Sequence, residues 1–386
     1  MRTRSLLFLL LLLGSVARAD EIDDLVRANM DADGINGVAL GIVVDGVLQE
    51  SRSYGLANIE TGTAVWPETV FKIASLSKAF CAAVTMMLIE EGKLSLEDRV
   101  VYHLPTAPES WGKIRIKHLL SHTSGIPRAP GFQFSAQYTP EEFVALFDGI
   151  ELAEEPGEKY RYNNFGFATL GQIVHKVTGM LLREYVTERI LEPLGMTATH
   201  YYEMGRIVPH RANGYRRRDG SYSNPNPARP RAYDGSGGVL TSVLDYALWD
   251  KALRSDDLLS AEIKEKMWTR FTLNDGSLGE YGFGWFPDEV DGERVVWHHG
   301  NTQGFTAHVI RGLESGVTVF VFRNGSGSEA QSLARGILAA YKEQSGRKAD
   351  EPRSVHSVRH SLSLSWAQCL TLDRRSLKRM NSMPRQ

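Results

Sequence analysis

The sequence predicts an α+β fold. One antiparallel sheet is formed from both chain ends and flanked by helices, and a mostly helical region is inserted between its halves. Three observations predict it. Strand-like runs rich in Val, Ile and aromatic residues cluster at 37–54 and again at 281–323. Asp45-Gly46, Asp291-Gly292 and Glu314-Ser315-Gly316 fall between those runs as tight-turn signals. Between about 93 and 234 the apolar spacing changes to helices separated by long loops.

The elements follow in order. Arg2 and Arg4, the apolar stretch 6–13 and the small-x-small Ala17-Arg18-Ala19 make residues 1–19 a secretory signal peptide, with an uncleaved anchor as the alternative. No cysteine follows the apolar stretch, which argues against lipid attachment, and no other segment is long and apolar enough to span a membrane. The expected location is therefore secreted or periplasmic, without a stable transmembrane anchor. Residues 21–29 read as a short amphipathic helix, Gly37–Val44 and 47–54 as a hairpin. An apolar run, 79–89, then continues without Gly or Pro until Gly92 and reads as a helix buried on most sides.

Residues 117–120, 140–147 and 165–178 are helical candidates, the last closed by Gly179. Residues 207–234, rich in Arg, Pro, Asn and Tyr, read as a surface loop. Helices are expected at 244–253 and Ala261–Met267, strands at 281–287, 294–298, 305–311 and Val317–Arg323, and a closing helix at 330–341. These give one domain over 20–345. Residues 346–386 carry nine Lys/Arg against three Asp/Glu and many serines, and read as a basic, disordered tail.

Composition bounds the function. The chain has 386 residues, 42% hydrophobic and 23% charged, as a soluble globular protein should, and its formal net charge of -2 gives no sign of a nucleic-acid partner. The two cysteines, Cys81 in the buried helix and Cys369 in the tail, make an implausible disulfide.

Three short constellations carry chemistry. Ser75-Leu76-Ser77-Lys78 opens the buried helix, so Ser75 and Lys78 share a face. First-turn N–H groups lack helical partners and can hold an oxyanion. A Lys pressed into apolar surroundings has a lowered pKa and can take a hydroxyl proton. By itself S-x-x-K fixes two positions, and Ser77 and Lys78 read equally as solvated first-turn residues. Tyr162 and Asn164 stand two apart at a loop-to-helix junction. There a phenol, its pKa lowered by a nearby Lys, could relay protons, and an amide could bind both Lys and substrate. A capped helix start is the plain reading of the same residues. Finally, an apolar strand ends in His298, and Gly300 would let a substrate backbone approach its edge. His298-His299 lacks the spacing of a zinc site, so no metal and no cofactor are expected.

Taken together, Ser75–Lys78, Tyr162–Asn164 and His298–Gly300 resemble the S-x-x-K, Y-x-N and K-T-G or H-x-G motifs of the serine β-lactamase and penicillin-recognising hydrolase superfamily. The branch they resemble holds class C β-lactamases, D-Ala-D-Ala carboxypeptidases, D-aminopeptidases and β-lactamase-like carboxylesterases. Residues 116–125 and 235–240 are similar to it as well, and the resemblance covers 24–342. It implies a β-lactamase/transpeptidase-like fold and an acyl-enzyme formed on Ser75. Lys78 and Tyr162 would then be the proton-transfer pair, Asn164 the group orienting substrate and Lys78, and the backbone N–H groups of Ser75 and Asn301 the oxyanion hole. His122 and Ser124 would brace the wall, and Gly237 and Gly238 would serve close packing.

His298 departs from the Lys of many β-lactamases. A mostly neutral imidazole should hold a carboxylate less well, favouring ester or small-peptide hydrolysis. Arg216-Arg217-Arg218 either supplies the missing charge or is a solvated turn. The resemblance thus implies a secreted serine hydrolase acting on the ester or amide carbonyl of a small molecule or peptide, whether ester, D-amino-acid peptide or β-lactam. The alternative is a penicillin-binding sensor or wall-associated module that is acylated but scarcely turns over.

Overall fold

The computed structural model describes residues 20–350, apart from 133–135, 137, 204, 226–233 and 328–329. The expected signal peptide and the tail beyond Asp350, with Cys369, lie outside the described residues. The chain divides into two units, the first ending at Glu343. Of the second, residues 344–350 are described and are helical.

In chain order the elements begin with helix α1 (Glu21–Asp33) and strands β1 (Gly37–Val44), β2 (Val47–Asn58), β3 (Thr63–Ala64) and β4 (Phe71–Lys72). A 3-10 turn, Ala74–Leu76, leads into helix α2 (Ser77–Glu90). The inserted region carries α3 (Val100–His103), α4 (Ile116–Leu120), α5 (Pro140–Ala145), α6 (Asn164–Thr178), α7 (Leu182–Val186) and α8 (Glu192–Leu194). Short strands follow: β5 (His200–Tyr201), β6 (Arg216–Arg218), β7 (Ser221–Ser223) and β8 (Val239–Thr241). Then come α9 (Val243–Arg254), α10 (Ala261–Met267), β9 (Phe286–Val290), β10 (Glu293–Thr302), β11 (Phe305–Gly312), β12 (Val317–Arg323) and α11 (Ala330–Asp350).

The main sheet has the order β3-β2-β1-β12-β11-β10-β9, and every pairing is antiparallel. The two chain ends meet where β1 pairs with β12, Val38 opposite Arg323 through Val44 opposite Val317. Period-two alternation sorts the side chains between two cores. Val38, Leu40, Ile42, Val319 and Val321 pack with Ile22, Val26, Leu333 and Ile337 of the terminal helices. Ala39, Val43, Phe320 and Phe322 face the other way, into the large core that contains α2 and α9. Gly41 makes room in that layer, because a Cβ there would lie 2.3 Å from the ring of Phe320, its register partner. Helix α2 is buried along nearly its whole length, and Phe80 stacks on Trp249 of α9 at 4.5 Å.

Three expectations shift. The strand expected at 281–287 begins only at Phe286, because Gly282 packs against the Met267 carbonyl and Gly284 has φ +84°. The loop expected over 207–234 contains the hairpin β6–β7, turned by Asp219 and Gly220, both at positive φ. Arg216, Arg217 and Arg218 are exposed on that hairpin. The closing helix continues past Tyr341 to Asp350, into the first residues of the expected tail.

Candidate active site

The turn that carries Ser75 is fixed from three sides. Ala74, just before it, has φ +49°, a conformation unfavourable for a residue with a Cβ. Ser77 Oγ donates to the Ala74 carbonyl at 2.6 Å and accepts from the Val239 N–H at 3.0 Å. The Ile73 N–H donates to the Val239 carbonyl at 3.1 Å, joining the turn to β8. On the third side β10 presses close, since a Cβ on Gly300 would lie 2.0 Å from the Ile73 carbonyl oxygen. The serine turn by itself therefore requires a glycine at 300.

Ser75 is half-buried, and Ser77 and Lys78 are fully buried rather than solvated. Lys78 Nζ lies 3.3 Å from Ser75 Oγ, and it donates to Asn164 Oδ1 at 2.7 Å and to the Ser236 carbonyl at 2.9 Å. Among the described residues no carboxylate pairs with it. Burial is the main cause that holds its pKa well below the ordinary lysine value.

The Tyr162–Asn164 junction divides its duties between adjacent asparagines. Asn163 caps α6 by accepting from the Phe165 N–H at 2.8 Å, and Asn164, the first helical residue, turns to Lys78. Lys78 Nζ stands 4.7 Å from the centre of the Tyr162 ring, over its face. The Tyr162 hydroxyl is buried and has no hydrogen-bond partner among the described residues. Its pKa is raised, because burial outweighs the opposing influence of the Ser75 hydroxyl. The sequence expectation of a pKa lowered by Lys78 is thus reversed.

His122, at φ +59°, holds this junction. Its Nδ1 accepts from the Asn163 N–H at 3.1 Å and its carbonyl accepts from the Arg161 N–H at 2.8 Å. Its ring packs 4.3 Å from Tyr162 and 4.7 Å from Tyr281.

On β10, His298 is fully buried and His299 exposed, as alternation along a strand requires. His298 Nδ1–H donates to the His299 carbonyl at 2.7 Å, which leaves Nε2 to accept from the Tyr281 hydroxyl at 2.9 Å. Burial keeps His298 and His122 neutral, their pKa values well below the usual histidine range. Asn301, one residue beyond Gly300, is exposed and pairs with Thr306.

The fold thus brings Ser75, Lys78, Tyr162, Asn164, His298 and Gly300 to one place, and Asn301 to the adjoining strand end. Three participants were given no part in the site from the sequence: Ser77, the Ser236 carbonyl and Tyr281. The Gly235-Ser236-Gly237-Gly238 run signalled the second, but its glycines act differently from expectation. Gly235 is the close packer, with a Cβ position 1.9 Å from the Phe167 carbonyl oxygen. Gly237 faces open space and Gly238 has φ +104°.

A sheet clasped by terminal helices, with a Ser–Lys pair where an inserted helical region meets it, is the frame of the penicillin-recognising serine hydrolases. A family model described as Beta-lactamase matches residues 22–342, and the chain belongs to that family. Penicillin-binding protein 4* of Bacillus subtilis (strain 168) is 29% identical over 311 residues, covering 75% of this chain and 68% of that protein. Protein flp of Staphylococcus aureus (strain COL) is 27% identical over 316 residues, covering 79% of this chain and 62% of its own length. The chain therefore spans only about two thirds of these relatives. The octameric penicillin-binding protein homologue from Pyrococcus abyssi superimposes with a TM-score of 0.73 at 30% identity, covering 84% of this chain and 77% of that one. Among the described residues no helix is long and apolar enough to cross a membrane.

Proposed function

We propose that this protein is a serine hydrolase working outside the cytoplasm, acylated on Ser75 by an ester or small-peptide carbonyl. The observation that carries the reading is the buried Lys78 amine. A neutral amine has two donors and one lone pair. The donors match Asn164 Oδ1 and the Ser236 carbonyl, and the lone pair is left for the Ser75 hydroxyl.

In the reaction Lys78 Nζ takes the Ser75 proton as Oγ attacks the carbonyl carbon. The N–H groups of Ser75 and Asn301 hold the oxyanion. Tyr162, kept neutral by burial, passes its proton to the leaving group and recovers one from Lys78. Water then cleaves the acyl ester. Neutral His298 offers a substrate carboxylate no charge, which favours esters over β-lactams. The location outside the cytoplasm rests on the signal-peptide pattern of residues 1–19.

A second reading is favoured by the names of two relatives, a penicillin-binding protein and a homologue of one: a sensor that is acylated and scarcely turns over. The test is turnover of p-nitrophenyl butyrate against a chromogenic cephalosporin, with Ser75→Ala as control. Ester turnover abolished by Ser75→Ala is expected. Preference for the cephalosporin would make the protein a β-lactamase. A stable cephalosporin adduct on Ser75 without turnover of either substrate would give the second reading the lead.

A further inference from the structure

A polar cleft lies beside the serine turn, lined by Lys72, Tyr202, Arg211, Asn213, Gln303 and Phe305 among others. Lys72 ends β4, three residues before Ser75, and three residues of chain span at most about 11 Å. Gln303 and Phe305 stand at the β10–β11 turn, just past Asn301. The cleft therefore touches both the segment that delivers the nucleophile and the strand end that would hold the oxyanion.

Two cations, Lys72 and Arg211, lie together on its lining. The Lys72 ammonium stands 4.4 Å from the centre of the Tyr202 ring and 5.8 Å from that of Phe305. Burial, and then the charge of Arg211, push its pKa down to about 8, and no acidic group acts against them. Among the described residues neither Lys72 nor Arg211 has an ion-pair partner. Arg211 is exposed at the rim, but its backbone is fixed: the Val70 N–H donates to the His210 carbonyl and the Ala212 N–H to the Val70 carbonyl, each at 3.0 Å. Keeping two like charges together is unfavourable, and an anion seated between them removes the cost. The aromatic faces can hold the carbon frame of a ligand, and the Gln303 amide can donate to its oxygens.

We propose that Lys72 and Arg211 form a carboxylate-binding subsite, so that the preferred acyl donor of Ser75 carries a carboxylate. The subsite rests on the assignment of Ser75 as nucleophile.

The test compares two esters that differ only in a terminal methyl or carboxylate, p-nitrophenyl butyrate and p-nitrophenyl hemisuccinate. The rate with full-length Ser75→Ala is subtracted as background. The kcat/KM ratio of hemisuccinate to butyrate is expected to fall about tenfold in Lys72→Met and in Arg211→Gln, and to be kept in Lys72→Arg. The same ratio in wild type and both neutral variants would overturn the subsite, and Arg211→Gln decides alone if Lys72→Met does not fold. A second arm needs no turnover. In full-length Ser75→Ala, succinate is expected to slow acetylation of Lys72 by acetic anhydride severalfold while exposed Lys113 reacts as before. No protection by succinate would overturn the proposal. Protection of Lys72 in a protein whose Ser75 hydrolyses neither ester would keep the anion subsite and remove the hydrolase reading.

Discussion

Ser77 shows how far the placement of Ser75, the proposed nucleophile, depends on a neighbouring side chain. Its hydroxyl joins the Ala74 carbonyl to the Val239 N–H, and so clamps an unfavourable backbone conformation beside Ser75. In Ser77→Ala both groups lose a partner inside the protein, a cost of about 1–3 kcal/mol. The expected result is a lower urea midpoint together with a lower kcat, because the turn is no longer held. Ser75→Ala removes a half-buried hydroxyl instead, and should lose turnover with little change in midpoint. Full stability and full turnover in Ser77→Ala would sink the clamp. Residue identities at the site were legible because three short motifs occur in one order. Their states were less so. Whether Tyr162 feels the Lys78 charge or its own burial depends on packing that no local pattern encodes. A backbone carbonyl such as that of Ser236 leaves no mark on sequence at all.

At the scale of elements, the site depends on how closely β10 meets the serine turn. Gly300→Ala places a Cβ 2.0 Å from the Ile73 carbonyl oxygen, so strand or turn must move. Overpacking of this kind costs about 1–3 kcal/mol. Because the turn carries Ser75, kcat should fall by more than KM changes. Gly237→Ala, into open space, should shift stability by no more than about 0.5 kcal/mol. The two midpoints, measured side by side, check the argument, and equal midpoints would refute it. The strands Gly37–Val44 and Val317–Arg323 were readable to their last residues because turn residues bound them. The run at 281–287 misled because Tyr281, Phe283 and Trp285 alternate like a strand, whereas the glycines between them serve close packing and a positive φ. Released from the sheet, Tyr281 is free to meet His298.

The first unit as a whole buries many titratable groups in neutral form, and this sets its response to pH. Burial is the largest cause in each case: His118 is pushed down to about 4, His308 to about 3, and His122 and His298 well below the ordinary value. As pH falls below about 6.5, the unfolded chain binds protons on these imidazoles before the folded chain does, so stability is lost. Each group can contribute at most about 2 kcal/mol between pH 6.5 and 5, at 1.36 kcal/mol per pH unit. Asp234 works in the opposite sense. Burial outweighs its pairing with Arg183 and raises its pKa to about 6, so acid stabilises the fold through this group while the buried histidines oppose it. Urea midpoints should therefore drop steeply between pH 7 and 5, and a flat profile would remove the argument. Lys78 extends the slope in the other direction. Its folded pKa is lowered, so up to about pH 10.5 the unfolded amine holds a proton that the folded one has released, and stability keeps rising with pH. The lowered proton affinity that would let Lys78 act as the proposed base is thus also a standing cost to the fold. Turnover should fall reversibly on acidification as Lys78 takes up its proton. Where that loss occurs with the protein still fully folded, it belongs to Lys78 and not to the histidines.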